Sequence, residues 1–226
     1  MGYEALARWR RGDGNVVAPS VFIPMAEDAG LATELTRWTL QVALREFVPM
    51  HRRHPELYCA INLSARAFDS PALGEQILAA LAIWGLPASA LMIEVTETAV
   101  LHDVGRNAAS LRQLADSGVR LAIDDFGQGY SSLGYLRHLP AAILKIDQSF
   151  VSDSSSPRTR ALLEAITGMA HRLGMRVVAE GVETEEMLGA VLEAGSDFAQ
   201  GYLFARPCDI GHWLDAPPFA QASGRM

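Results

Sequence analysis

Short runs of β-branched and apolar residues alternate along this chain with longer stretches whose apolar positions recur every three or four residues. The strand-like runs are Tyr3 to Trp9, Leu57 to Asn62, Leu91 to Val95, Val119 to Asp124, Ala142 to Ile146, Arg176 to Ala179 and Phe198 to Gly201. Between them a helical pattern covers Thr33 to Arg53, Leu73 to Trp84, Gly105 to Ser117, Arg158 to Leu173 and Glu185 to Ala194. Leu162, Ile166, Met169 and Leu173 fall at helical spacing, and Ser156-Pro157 supplies a cap residue and a first-turn proline. Regular β/α alternation predicts an α/β fold in which helices cover a parallel sheet.

A closed (β/α) barrel has eight strands. Seven are visible in the pattern, and the shortage falls at the N-terminus, so a preceding strand is expected to be missing from this chain. The length of 226 residues suits one domain, expected over residues 1–216, with 217–226 as a flexible C-terminal tail. No Gly/Ser/Pro-rich linker, fixed-period repeat or low-complexity tract divides it.

Charge changes the picture in one respect. The excess of 26 acidic over 19 basic residues leaves no basic stripe for polymeric nucleic acid, so an anionic substrate would need metal ions or local arginines. Cys59 and Cys208 belong to no zinc-like pattern and read as reduced thiols. No apolar run suits a membrane span, and the N-terminus lacks a signal peptide's regions, so a cytoplasmic domain without direct membrane insertion is expected, within a parent that could itself be anchored.

The chemistry gathers where the strands end: Asn62, Glu94, the adjacent Asp124 and Asp125, Lys145, Glu180 and Gln200. In a β/α barrel such ends converge on one rim. Singly, each has an ordinary explanation: Asn62 as a helix cap, Lys145 snorkelling, Glu180 on a solvated loop. Together they form an oxygen-rich set suited to Mg²⁺ or Mn²⁺. Two neighbouring carboxylates at the end of a buried strand are costly unless cations or strong donors offset them. With two ions, one carboxylate could bridge both while the other binds the second, the arrangement for in-line phosphodiester hydrolysis. Lys145 could then orient water or stabilise phosphate charge, and Glu180 could complete the second site or take a proton. Glu4 starts its strand-like run rather than ending it, so reaching the same rim would require the Tyr3 to Trp9 strand to run antiparallel.

Tyr3-Glu4-Ala5-Leu6-Ala7-Arg8-Trp9 resembles the signature of the EAL family of cyclic di-GMP phosphodiesterases. The likeness continues through Phe22 to Glu27, Ile61-Asn62-Leu63-Ser64, Ile93-Glu94-Val95-Thr96-Glu97, Asp124 to Leu133, Leu144-Lys145-Ile146-Asp147, Val178 to Glu183 and Gln200 to Phe204. An isolated Glu-Ala-Leu means nothing; the ordered set is specific. The resemblance implies a modified (β/α)8 barrel with one antiparallel strand, and hydrolysis of cyclic di-GMP to linear pGpG with two Mg²⁺ or Mn²⁺ ions per site. By motif position, Glu4, Asn62, Glu94 and Asp124 would hold the first ion, with Asp124, Asp125 and Glu180 at the second. Lys145 and Gln200 would position water and phosphate, and Glu183 would support the site; Glu97, grouped with these catalytic residues, would anchor the loop after Asp125. Glu4, Leu6, Arg8, Asn62, Asp147 and Glu183 would meet the substrate.

The resemblance also implies a homodimer and an upstream fusion to sensory or diguanylate cyclase-like modules, although no Gly-Gly-Asp-Glu-Phe motif occurs here. Two features depart from the family. Gln128 stands where the family usually has Thr, and the family's N-terminal strand with its Gln-Pro is absent. The competing expectations are a non-catalytic cyclic di-GMP receptor using the same pocket and an unrelated barrel metalloenzyme such as a lyase.

Overall fold

The computed structural model describes residues 2–102, 104–128 and 133–214. The expected tail, 217–226, lies outside the described residues, as do 129–132 of the segment after Asp125. The chain enters along β1 (Gly2–Ala5), forms an antiparallel ribbon from β2 (Trp9–Arg10) and β3 (Val16–Val17), and continues through α1 (Pro19–Asp28) and α2 (Ala32–Arg53). There follow β4 (Tyr58–Asn62), α3 (Leu73–Trp84), β5 (Leu91–Thr96), α4 (Glu97–His102), α5 (Val104–Asp116) and β6 (Arg120–Phe126). The last part comprises β7 (Ile143–Ile146), α6 (Gln148–Ser152), α7 (Pro157–Arg172), β8 (Arg176–Ala179), α8 (Glu185–Glu193) and β9 (Phe198–Ala199). Each predicted strand and helix has a counterpart. The chain divides into two compact units, Met1–Val95 with Gly105–Arg120, and Thr96–Val104 with Leu121–Met226.

In the first unit β1, β4 and β5 run parallel in that order. Against β4 lies α2, whose Leu40, Leu44, Phe47 and Met50 are buried at the four- and three-residue spacing of one helix face. The fully enclosed Leu44, Phe47 and Met50 each contribute about 1.5–3 kcal/mol of transfer free energy. This helix packs on α3 and β4, and Trp84 Nε1 donates to Gln41 Oε1 at 2.9 Å. Gly85 ends α3 in the left-handed conformation at φ 65°, a position where a Cβ would be strained.

One expectation is overturned in this unit. The strand carrying Glu4 is parallel to its neighbour, pairing Glu4 with Ala60 and Ala5 with Ile61. It stops at Ala5, and Trp9 belongs to the separate ribbon, so Glu4 lies near a strand end rather than a strand start. No reversal of direction is needed for it to reach the residues that close β4.

In the second unit β6, β7, β8 and β9 are parallel and consecutive. Their register is regular except between Ile123 and Phe126: Ile123 pairs with Leu144 and Phe126 with Ile146. Two residues of β6, Asp124 and Asp125, thus stand opposite the single Lys145 of β7. This is a β-bulge, a device that bends a strand and re-aims its side chains. In the same unit Val151, Ala179, Val182 and Val191 form a buried apolar cluster packed by Met187, Leu188, Ala199 and Leu203.

α7 forms where the pattern places it, but its inner face differs. Leu163, Thr167 and Ala170 are buried, while Leu162 and Leu173 are exposed. Pro157 occupies the first turn as expected, whereas the Ser156 side chain makes no cap hydrogen bond. Among the described residues no helix is long and apolar enough to cross a membrane.

Candidate active site

The bulge in β6 positions the acidic pair. Asp125 has φ 54°, the one positive φ at a non-glycine residue among those described. Such a conformation persists only where its surroundings over-determine it, and it is concentrated at functional sites. Asp124, buried, accepts the Asp125 N–H on Oδ1 at 3.0 Å. Glu180 joins them from the end of β8, its own N–H donating to the Ile146 carbonyl at 3.1 Å. Ligand oxygens of Asp124, Asp125 and Glu180 all lie within 4.8 Å of one another.

Lys145 crosses this cluster from β7. Its ammonium is 2.9 Å from Glu180 Oε1 and 3.1 Å from Asp124 Oδ1, and its side chain is only 2 % exposed. One buried positive charge therefore serves carboxylates from two neighbouring strands. Removing such a partner leaves a desolvated like-charge pair, which is why buried clusters of this kind require compensation. All three carboxylates offer hard oxygen donors, and the set fits Mg²⁺ or Mn²⁺ in donor type and spacing.

Gln200 follows β9; its N–H donates to the Ala179 carbonyl at 2.8 Å and its carbonyl accepts from the Val182 N–H at 3.0 Å. These bonds fasten the segment carrying Gln200 to the one carrying Glu180. The next residue, Gly201, lies so close to the Val182 backbone that a Cβ would collide with its carbonyl and amide.

A cavity of about 460 Å³ opens beside α6, lined by Gln128, Asp147, Gln148, Ser149, Ser152, Gly181, Glu183 and Met187. It brings together Asp147 and Glu183, both assigned to the substrate by motif. Asp147 caps α6: Oδ1 accepts the Ser149 N–H at 2.9 Å, and Oδ2 accepts from Gln128 Nε2 at 2.7 Å. Burial alone would raise the Asp147 carboxyl, but hydrogen bonds from Ser149, Gln128 and Gln148 outweigh it and hold the pKa below its ordinary value. The sequence reading missed Ser149, Ser152 and Met187 as cavity residues. The Asp-x-Ser capping pattern at Asp147 to Ser149 marks the start of α6, though not what its first turn faces.

Glu97, buried at the start of α4, accepts the Gly127 N–H on Oε2 at 3.3 Å. Burial, followed by the charge of Glu97, pushes the Tyr135 phenol well above its ordinary value. Glu97 thus acts on both sides of the segment that follows Asp125.

The first unit holds the remaining motif residues. Asn62 Nδ2 donates to Glu4 Oε1 at 2.6 Å, and Asn62 is the register partner of the buried Glu94. Burial and the charges of Glu94 and Glu4 push the Cys59 thiol up to about 12, so this cysteine is an inert thiol. Leu6 and Arg8 stand exposed beyond β1, with Arg8 Nη1 donating to the Ala7 carbonyl at 3.0 Å.

In β/α barrels the active site lies at the C-terminal ends of the parallel strands, and each unit places its acidic and amide side chains at such ends. The family model described as EAL domain matches residues 1–207, and the chain belongs to this family, with its modified (β/α)-barrel fold class. Cyclic di-GMP phosphodiesterase NbdA of Pseudomonas aeruginosa is 41% identical over 209 residues, covering 92% of this chain and 27% of that protein. Cyclic di-GMP phosphodiesterase PA2567 of the same organism is 37% identical over 217 residues, covering 94% of this chain and 37% of that one. The chain therefore spans well under half the length of these relatives. Among solved structures, the PaMucR phosphodiesterase in its c-di-GMP complex matches with TM-score 0.87 and 36% identity, covering 92% of this chain and 85% of that chain. The FimX EAL domain from Pseudomonas aeruginosa bound to c-di-GMP matches with TM-score 0.85 and 25% identity, covering 92% and 84%.

Proposed function

We propose that this chain is a metal-dependent phosphodiesterase that hydrolyses cyclic di-GMP to linear pGpG. The observation carrying this reading is the bulge that sets Asp124 and Asp125 against Lys145, with Glu180 alongside. The names of NbdA and PA2567 and the c-di-GMP held by PaMucR support the choice of substrate.

By motif position Glu4, Asn62, Glu94 and Asp124 would hold one ion, and Asp124, Asp125 and Glu180, whose ligand oxygens lie together, would hold the other. Bound there, Mg²⁺ or Mn²⁺ supplies Lewis acidity toward the phosphate and makes water more acidic. The chain's own residues do the rest. Lys145 keeps Asp124 and Glu180 in register and stabilises negative charge as it develops on the phosphate. Glu180 would complete the metal site or take the proton of the attacking water, and Gln200 would orient water and phosphate. Asp147 and Glu183 bind the substrate in the cavity beside α6, with Leu6 and Arg8 as further substrate contacts. Glu97 holds the turn at Gly127.

A homodimer, a cytoplasmic setting and fusion to sensory or diguanylate cyclase-like modules belong to the same reading. Relatives named a bifunctional diguanylate cyclase/cyclic di-GMP phosphodiesterase and an oxygen sensor support the fusion. Incubation with Mg²⁺ and cyclic di-GMP, followed by chromatography, tests the activity through the appearance of pGpG. Binding without turnover would establish the non-catalytic receptor instead, and neither binding nor turnover would overturn both.

A further inference from the structure

Asp147 carries more donors than its orientation requires. As the cap of α6 its carboxylate is fixed by the Ser149 N–H on Oδ1 at 2.9 Å. The second oxygen accepts from Gln128 Nε2 at 2.7 Å, and the Ser149 side chain and the Gln148 N–H donate to the carboxylate as well. A carboxylate at this pH only accepts, so the amide nitrogen of Gln128 is the atom that faces it. Gln128 reaches in from the turn after β6, where its N–H donates to the Asp125 carbonyl at 3.2 Å. Both residues line the 460 Å³ cavity, together with Ser149, Ser152, Glu183 and Met187. That volume falls in the range that encloses a small organic ligand.

A purine edge with adjacent N–H donors, such as that of guanine, is a natural occupant of such a carboxylate. Its two donors reach both carboxylate oxygens, and Oδ2 is the one held by an exchangeable side chain, Gln128, rather than by the α6 backbone. The bond in its way has a charged acceptor and is short, which places it among the stronger side-chain hydrogen bonds. Its loss must therefore be offset whenever a base docks.

We propose that Gln128 competes with the substrate base for Asp147 Oδ2 and thereby sets substrate affinity without taking part in the chemical step. This rests on the reading of the α6 cavity as the substrate's. Gln128 is in this account a specificity-determining residue: only a base whose donors outbid a primary amide displaces it, so ligands offering acceptors at that edge are rejected.

The test is steady-state kinetics with cyclic di-GMP and Mg²⁺ on the wild-type chain, Gln128→Ala and Gln128→Leu. Leucine retains bulk but has no N–H, so a shared effect identifies the donor rather than the space. Both variants are expected to lower KM by roughly 3- to 10-fold, the scale of one hydrogen bond to a charged group partly repaid by water, with kcat unchanged. In an Asp147→Ala background neither substitution should lower KM further. An unchanged or raised KM in both variants overturns the proposal, as does an equal fall in the Asp147→Ala background. An active wild type with KM insensitive to Gln128 sinks the competition alone. A wild type that neither binds nor cleaves cyclic di-GMP sinks the functional reading and the competition with it.

Discussion

Asn62 donates its side-chain amide to Glu4 across 2.6 Å, tying together two residues 58 positions apart in sequence. The bond spends one Asn62 proton on a carboxylate oxygen and so fixes how Glu4 points. Partners that orient a metal-binding carboxylate commonly change metal affinity or activity by 10- to 100-fold. Asn62→Ala is accordingly expected to lower Mg²⁺-dependent hydrolysis of cyclic di-GMP by roughly 10- to 100-fold, with part of the loss recovered at high Mg²⁺. A Mg²⁺ activation curve superimposable on that of the wild type would remove Asn62 and its hold on Glu4 from the site.

Lys145→Ala should couple stability to metal. Without the ammonium, Asp124 and Glu180 lose the positive charge that bridges them, a change of the order of 3–5 kcal/mol for a buried group. A divalent cation can take over that charge. The melting temperature should therefore drop steeply in chelator and recover partly in Mg²⁺, while kcat stays far below that of the wild type and KM changes little. Equal melting in chelator and Mg²⁺ would count against a metal at these carboxylates.

Glu97→Gln removes a negative charge that acts at both Gly127 and Tyr135. Amide exchange at Gly127 should quicken, and the Tyr135 phenol should titrate closer to 10.0, because the charge of Glu97 no longer adds to burial in raising it. Exchange and phenol titration unchanged from the wild type would dismiss the anchoring role.

Asp197 offers a pH experiment away from the site. Burial would raise its carboxyl, yet the Val177 N–H at 2.7 Å, His171 at 2.8 Å and the charge of Arg176 bring the pKa below 3.8. A depressed carboxyl stabilises the fold above its ordinary value, and that contribution disappears as pH falls through the folded-state value. The stability gap between wild type and Asp197→Asn should thus be widest near neutrality and narrow below pH 3.8. Urea melts across that range would show a constant gap if the ionised form carried no advantage.

The candidate site stands out in the sequence because buried strands are poor places for charge. Glu94, Lys145 and the Asp124-Asp125 pair interrupt apolar runs that otherwise explain themselves by packing. Geometry at the scale of one residue was less legible. The apolar character of Leu6, Ala7 and Trp9 disguised the end of β1 after Ala5, which led to the wrong strand direction for Glu4. The bulge leaves no compositional trace, since it depends on how β6 pairs with β7. Pro24 lies inside α1 and hid that helix behind a residue that usually interrupts one. In α7 the stripes through Leu162 and Leu163 both satisfy helical spacing, and only packing selects the second. The bond from Gln128 to Asp147 spans 19 residues and depends on the reach of a flexible side chain, which periodicity does not register.

The contact of Gly201 with the Val182 backbone limits how this domain can be redesigned. A library that randomises position 201 should return glycine alone, because even a methyl group would have to push apart the strand ends that carry Glu180 and Gln200. Diversity aimed at a new ligand has to enter elsewhere, from side chains such as Gln128, Ser152 and Met187, which line the cavity beside α6. The chemistry and the recognition of ligand are in that sense separately adjustable: one is locked by backbone contact, the other hangs on side chains that can be exchanged.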